Sequence, residues 1–270
     1  MYKKPFAIPF IGWILIGTIV PGLVIAFYGF TDRSGAFTMD NVTGILAPEH
    51  AKALWMSLLL AFISSIICLV ISLPLALILR NSKLSSKGFL VFIFILPMWM
   101  NFLLRTMAWQ VLLERGGLIN NFFENIGMPE LQIINTPVAV VLGMVYDYLP
   151  FMILPIYNSM IKIENAVIEA AYDLGATKAK VFKDVIIPLS VPGIASGITM
   201  VFVPALTTFA ISNMLGGGKI YLIGNIIEQE FTTTSNWNLG SGLSLVMMVF
   251  ILITMELMSR LDKDGDGALL

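Results

Sequence analysis

An all-α polytopic membrane protein with six crossings is the architecture this sequence predicts, and three observations carry it. Of 270 residues, 57% are hydrophobic and 12% charged, against about a quarter charged in soluble domains. The apolar residues collect in six runs, most of them long enough to cross about 30 Å of hydrocarbon at about 1.5 Å per residue. The basic residues segregate. With both ends on one side, Lys3, Lys4, Arg80, Lys83, Lys87, Lys162, Lys178, Lys180, Lys183, Arg260 and Lys263 share that side, and only Arg33, Lys52, Arg115 and Lys219 face the other. Eleven against four predicts cytoplasmic termini by the positive-inside rule.

The runs follow in order. Residues 8–30 form the first, too long for a cleaved signal peptide and without a small-x-small site at its end. A polar connection leads to 53–79, with Pro74 near its end. The third, 88–113, is interrupted by Pro97, Asn101 and Arg105, which predicts a kinked helix that partly lines something polar. The fourth, 137–160, holds Asp147 near its middle and Pro150 and Pro155 beyond it. The fifth, 185–215, is broken by Pro188, Pro192 and Pro204 and ended by Gly216–Gly218. Residues 219–239 connect, with a short surface helix expected over 222–231. The sixth run, 240–258, leads into a charged tail. The outer connections carry eight acids against four bases, which would concentrate cations there.

Residues 164–188 are a polar island between the fourth and fifth runs. Val167, Ala170, Ala171 and Leu174 fall at i, i+3, i+4 and i+7 and form one narrow apolar stripe that a partner can approach closely. Gly175 permits a sharp turn. A second short helix is expected over 177–183, and Pro188 marks the return to the membrane. A helix-turn-helix elbow below the bilayer results; an amphipathic loop resting on lipid is the other reading of the pattern.

Glu169-Ala170-Ala171, three residues, Gly175, then Val185-x-Ile187-Pro188 resembles the EAA loop of ATP-binding-cassette importer permeases, with Val and Ile where that family usually has Ile and Leu. The resemblance implies a type-1 permease core whose coupling helix seats on an ATPase subunit. It divides the chain into an N-terminal helix and external loop (1–50), the permease domain (51–260) and a cytoplasmic tail (261–270). Leu96–Asn101, Leu104-Arg105-Thr106, the segment from Tyr146 to Tyr157 and Leu215–Gly218 resemble the polyamine-importing branch. That likeness implies a second permease, a separate ATPase that uses ATP and Mg, an extracytoplasmic binding protein, and spermidine or putrescine as the solute. This chain itself is then a transport subunit and not an enzyme, with no cofactor of its own.

The residues themselves leave the path open. A carboxylate at bilayer depth is costly unless it faces protein or water, so Asp147 is a functional candidate. It can bind a polycation or pair with Arg105 on the neighbouring run. Tyr146, Tyr148, Trp99 and also Trp109 can offer ring faces to an ammonium, each worth about 1 kcal/mol, or can pack and form an interfacial belt. Other signals carry little. Gly193-x-x-x-Gly197 suits close helix packing. Asp262-x-Asp264-x-Asp266-Gly267 lacks the later glutamate of a calcium loop, and Gly216–Lys219 lacks phosphate-loop spacing. His50 and Cys68 have no partners for a metal or a disulfide. Two rivals stand beside the polyamine importer. One is the same importer carrying another small solute, such as an oxyanion or ferric iron. The other is a free-standing carrier or channel driven by protons through Asp147, against which the absence of a clear inverted repeat and the cytoplasmic elbow count.

Overall fold

The computed structural model describes residues 12–81, 96 and 98–267. Lys3, Lys4, Lys83, Lys87, Pro97 and stretch 88–95 of the predicted third run lie outside the described residues. Helix α1 (Gly12–Gly29) is apolar on every side and almost wholly exposed, as a lipid-facing span is. Two asparagines tie down its end. Asn41 Nδ2 donates to Gly29 O and Thr31 O, and Asn238 Nδ2 donates to Thr31 O at 2.7 Å and Tyr28 O at 3.2 Å. In the following loop Asp32 Oδ1 accepts from the Ser34 hydroxyl and from the Ser34 and Ala36 amides. The Ser34 hydroxyl most of all, then the Ala36 amide, holds that carboxyl below the usual range.

Helix α2 (Pro48–Asn81) has 34 residues, about 50 Å of rise. Its inward face is a seam of small side chains, Ala53, Ser57, Ala61, Ser64, Cys68, Ser72 and Ala76, all buried. Spacings of three and four keep them on one stripe, so other helices approach closely. Helix α3 (Phe102–Leu113) starts where Asn101 caps it, its Oδ1 accepting from Leu103 N at 2.9 Å. The polar connection between the third and fourth runs contains helix α4 (Leu118–Asn125). Asn120 fixes it, donating to Leu113 O and Glu114 O and accepting from Leu131 N.

Helix α5 (Pro137–Met160) sits at the centre. It buries Val140, Gly143, Met144, Asp147, Met152, Ile153, Ile156 and Met160. Helix α6 (Asn165–Asp173) follows after a short turn. Helix α7 (Lys178–Leu189) is bent by 68° from α8 (Val191–Thr207). The expected second helix of the elbow therefore runs on past Lys183 and through Pro188, and the chain turns at Ser190 instead. Pro192 occupies the first turn of α8, where a missing N–H costs nothing, and Pro188 stands one residue before the end of α7. The break falls between them. The fifth run breaks a second time at Thr208–Phe209, before α9 (Ala210–Leu215).

Helix α10 (Ile223–Thr232) matches the expected surface helix within a residue, but its start is buried. Ile223 N donates to Ser57 Oγ on α2, and Asn225 Nδ2 donates to Phe209 O and Asn213 Oδ1. Helix α11 (Trp237–Gly267) continues beyond the sixth run, so the Asp262–Asp266 stretch expected in a solvated tail lies on a helix. By length and apolarity α1, α2, α5 and the 237–260 part of α11 can each span a bilayer, and the bent α7–α8 pair adds a fifth if it counts as one span. The third run is represented among the described residues only by the twelve residues of α3 and its approach.

Two apolar cores lie along α5. One gathers Val140, Met144, Leu206, Ile211, Leu222 and Leu243. The other gathers Cys68, Met152, Ile156, Met160, Val181 and Ile186. Asp147 stands on α5 between Met144 and Met152, at the level where the two cores meet.

Candidate functional site: an elbow and a buried charge pair

The elbow is built on a glycine turn. Leu174 N donates to Ala170 O, Gly175 N to Tyr172 O at 2.8 Å and Ala176 N to Ala171 O at 3.1 Å. This pair of closing bonds is the Schellman arrangement, which needs its penultimate residue in the left-handed region. Gly175 has φ +80°. Space around it is open, since nothing lies within 4 Å of where a Cβ would stand. Gly175→Ala is therefore expected to strain the turn by about 1 kcal/mol without any clash. In the importer that the sequence resemblance implies, uptake per ATP should fall several-fold, while the thermal stability of the membrane helices stays unchanged.

The apolar residues of α6 divide between two sides. Ile168 and Ala171 pack inward on the core around Met160 and Val181. Val167, Ala170 and Leu174 face outward, Leu174 at 90% exposure. The single stripe expected from spacing is thus split, with Ala171 turned to the protein. Glu169 and Pro188 are exposed as well. What the fold leaves bare at this end is a small, mostly apolar surface beside Glu169.

The second constellation is a cavity of about 550 Å³ between α3, α5, α8 and α9, lined among others by Asn101, Arg105, Asp147, Tyr148, Thr207 and Thr208. Arg105 Nη2 lies 3.3 Å from Asp147 Oδ1, and both side chains are buried. Thr106 Oγ1 donates to Asp147 Oδ2 at 3.1 Å. Arg105 Nε and Nη1 have no hydrogen-bond acceptor among the described residues, and Asp147 Oδ1 has no hydrogen-bond donor. The pair neutralises itself electrostatically but leaves unused hydrogen-bonding capacity at the cavity wall.

Of the path residues predicted from sequence, Arg105, Asp147 and Tyr148 meet at this cavity. Tyr148 Oη reaches Pro204 O at 3.5 Å. Tyr146 lies outside the lining, its ring 5.9 Å from the Arg105 guanidinium carbon and edge-on to Trp109 at 5.4 Å. Trp99 is 74% exposed and does not line the cavity. Sequence reasoning missed Thr106, whose hydroxyl fixes Asp147, and Thr207 and Thr208 at the end of α8. Only their neighbourhood to Arg105 and Pro204 in the chain could have pointed to them.

A bundle of apolar helices around a buried charge pair, with an elbow projecting from one end, defines a multi-pass membrane protein. The chain belongs to the family described as binding-protein-dependent transport system inner membrane component, whose model matches residues 71–264. It is 35% identical over 259 residues to the spermidine/putrescine transport system permease protein PotB of Haemophilus influenzae, covering 93% of this chain and 91% of that one. To PotB of Escherichia coli K12 it is 36% identical over 247 residues, covering 88% and 90%. Among solved structures, a chain of a bacterial alginate ABC transporter in complex with its alginate-bound periplasmic protein superposes with TM-score 0.80 at 16% identity, covering 97% of this chain and 93% of that one. A chain of the inward-facing MetNI methionine ABC transporter superposes with TM-score 0.56 at 18% identity, covering 80% and 95%. These two likenesses speak to the fold alone. The protein is an ABC-transporter permease.

Proposed function

We propose that this chain is one of two permease subunits of an ATP-driven importer of spermidine and putrescine. The kinship with spermidine/putrescine permeases over about nine-tenths of the chain carries the reading. Six crossings place both termini and α6 in the cytoplasm of the cell membrane. Residues 1–50 add one helix and its outer loop to a permease domain of residues 51–260, and 261–270 form the cytoplasmic tail. The outward face of α6, with Glu169, Ala170 and Leu174, seats on a PotA-like ATPase that binds ATP and Mg; Ala171, Gly175 and Pro188 hold the elbow in shape. A PotC-like second permease completes the path, and a PotD-like extracytoplasmic binding protein delivers the solute. This chain needs no cofactor.

In this reading the cavity beside Asp147 is a station on the path. The free lone pairs of Oδ1 accept an ammonium, and Tyr148 and nearby carbonyls supply further contacts. Tyr146 and Trp99, outside the lining, meet the solute only as the helices rearrange. One observation favours a different solute for the same machine. Arg105 already compensates Asp147, and its Nε and Nη1 suit a solute rich in acceptors.

Reconstituted vesicles holding all four subunits test both readings. Spermidine and putrescine uptake is expected only with ATP and with every subunit present. Uptake driven by a proton gradient without the ATPase points to the secondary-carrier reading. ATP-driven uptake that excess polyamine fails to inhibit points to another solute.

A further inference from the structure

Arg80 is the penultimate residue of α2, and its charge suits the end of that helix. Yet its guanidinium reaches away from α2. Nε donates to Met160 O at 2.8 Å, and Nη2 donates to Ile163 O at 2.9 Å and Asn165 Oδ1 at 3.2 Å. Met160 ends α5, Ile163 lies in the turn, and Asn165 begins α6. Met160 O lies in the last turn of α5, outside the regular helical bonding, and besides Arg80 it accepts from Ile163 N at 3.3 Å. One planar fork therefore joins three consecutive pieces of chain to a fourth element eighty residues away. Beneath it Leu79, Met160, Ile163 and Val181 are buried together. The inner side of the elbow is thus fastened while its outer face stays free.

We propose that Arg80 is the positioning residue that fixes α6 to the ends of α2 and α5, so that a displacement of α6 moves those two helices as one body. The proposal rests on the importer reading for the origin of the displacement, but the fastening is a property of this chain alone. A fork that serves three acceptors depends on guanidinium geometry, which an ammonium cannot reproduce. If Arg80 acted only as a positive charge that sets topology, Lys would replace it without loss.

The test uses the purified full chain and then the reconstituted four-subunit complex. In Arg80→Lys, amide hydrogen exchange over 164–175 is expected to rise about tenfold relative to wild type, with α8 unchanged. Asn165→Ala, which removes one of the three acceptors, should give a smaller rise, about threefold. In the complex, Arg80→Lys should lower solute taken up per ATP about fivefold at equal amounts of assembled transporter. Arg80→Gln should do at least as much; should it fail to fold, Arg80→Lys and Asn165→Ala decide the matter. Exchange over 164–175 as slow in Arg80→Lys as in wild type, or an unchanged ratio of uptake to ATP, overturns the proposal. The exchange measurement requires no transport, so a wild-type complex without ATP-driven uptake counts against the importer reading and leaves the fastening to be judged by exchange.

Discussion

Asp147→Asn is expected to reduce solute uptake at least tenfold, and Arg105→Met to destabilise the protein by about 3–5 kcal/mol, the usual cost of leaving one member of a buried pair without its partner. The two variants differ in what they leave behind. Asn at 147 keeps the size of the side chain and its acceptor for Thr106 Oγ1, so the packing survives while the negative charge is lost, at some cost from the Arg105 charge left unpaired. Met at 105 leaves a carboxylate stranded between two apolar cores, with Thr106 as its one hydrogen-bond donor. The double variant Arg105→Met/Asp147→Leu should recover most of the stability, because a well-packed apolar pair often replaces a buried ion pair without loss. It should not recover uptake. Thermal unfolding in detergent and vesicle uptake on the four proteins separate the two roles. Wild-type uptake by Asp147→Asn would make the pair a purely structural element.

Gly193→Val is expected to be the most damaging glycine substitution on the α5–α8 contact, on the order of 3 kcal/mol. A Cβ at that position would stand 2.5 Å from Ser159 Cβ and 2.6 Å from Pro155 O. The second obstacle is backbone, so α8 must withdraw from α5. Gly197 meets chiefly the Met152 sulfur, the end of a flexible side chain, and Gly197→Ala should cost less. Gly22→Ala on α1, with nothing within 4 Å, supplies the control and should leave the melting temperature unchanged or slightly raised. Thermal shift measurements on the three proteins give the ranking. Equal effects at positions 193 and 22 would contradict the packing described.

These variants also mark what the sequence makes legible. Local chemistry was readable: the Gly175 turn, the small residues at Gly193 and Gly197, and the buried acid at 147 each follow from neighbours within a few positions. Faces and partners were less so. On α6 both Val167-Ala170-Leu174 and Ile168-Ala171 have helical spacing, and only packing against the ends of α2 and α5 decides which turns inward. Arg80 reads as one more cytoplasmic charge until its acceptors beyond position 159 are seen. The prolines of the fifth run foretold breaks but not their places: one falls at Ser190, just before Pro192 in the first turn of α8, and the other at Thr208–Phe209, after Pro204, which α8 keeps inside it. Asn120, hidden in a connection that looked merely polar, organises α4 through hydrogen bonds that span up to eleven positions.

The outward face of α6 is proposed to receive an ATPase on the cytoplasmic side. Leu174 is the place to ask, because it is 90% exposed and the chain's one native thiol, Cys68, is buried. Leu174→Cys, in a Cys68→Ser background, can be challenged with a membrane-impermeant maleimide in oriented vesicles. Labelling is expected from the cytoplasmic side alone, with protection once the ATPase subunit is bound. Labelling from the opposite side, or equal labelling with and without bound ATPase, would contradict the proposal.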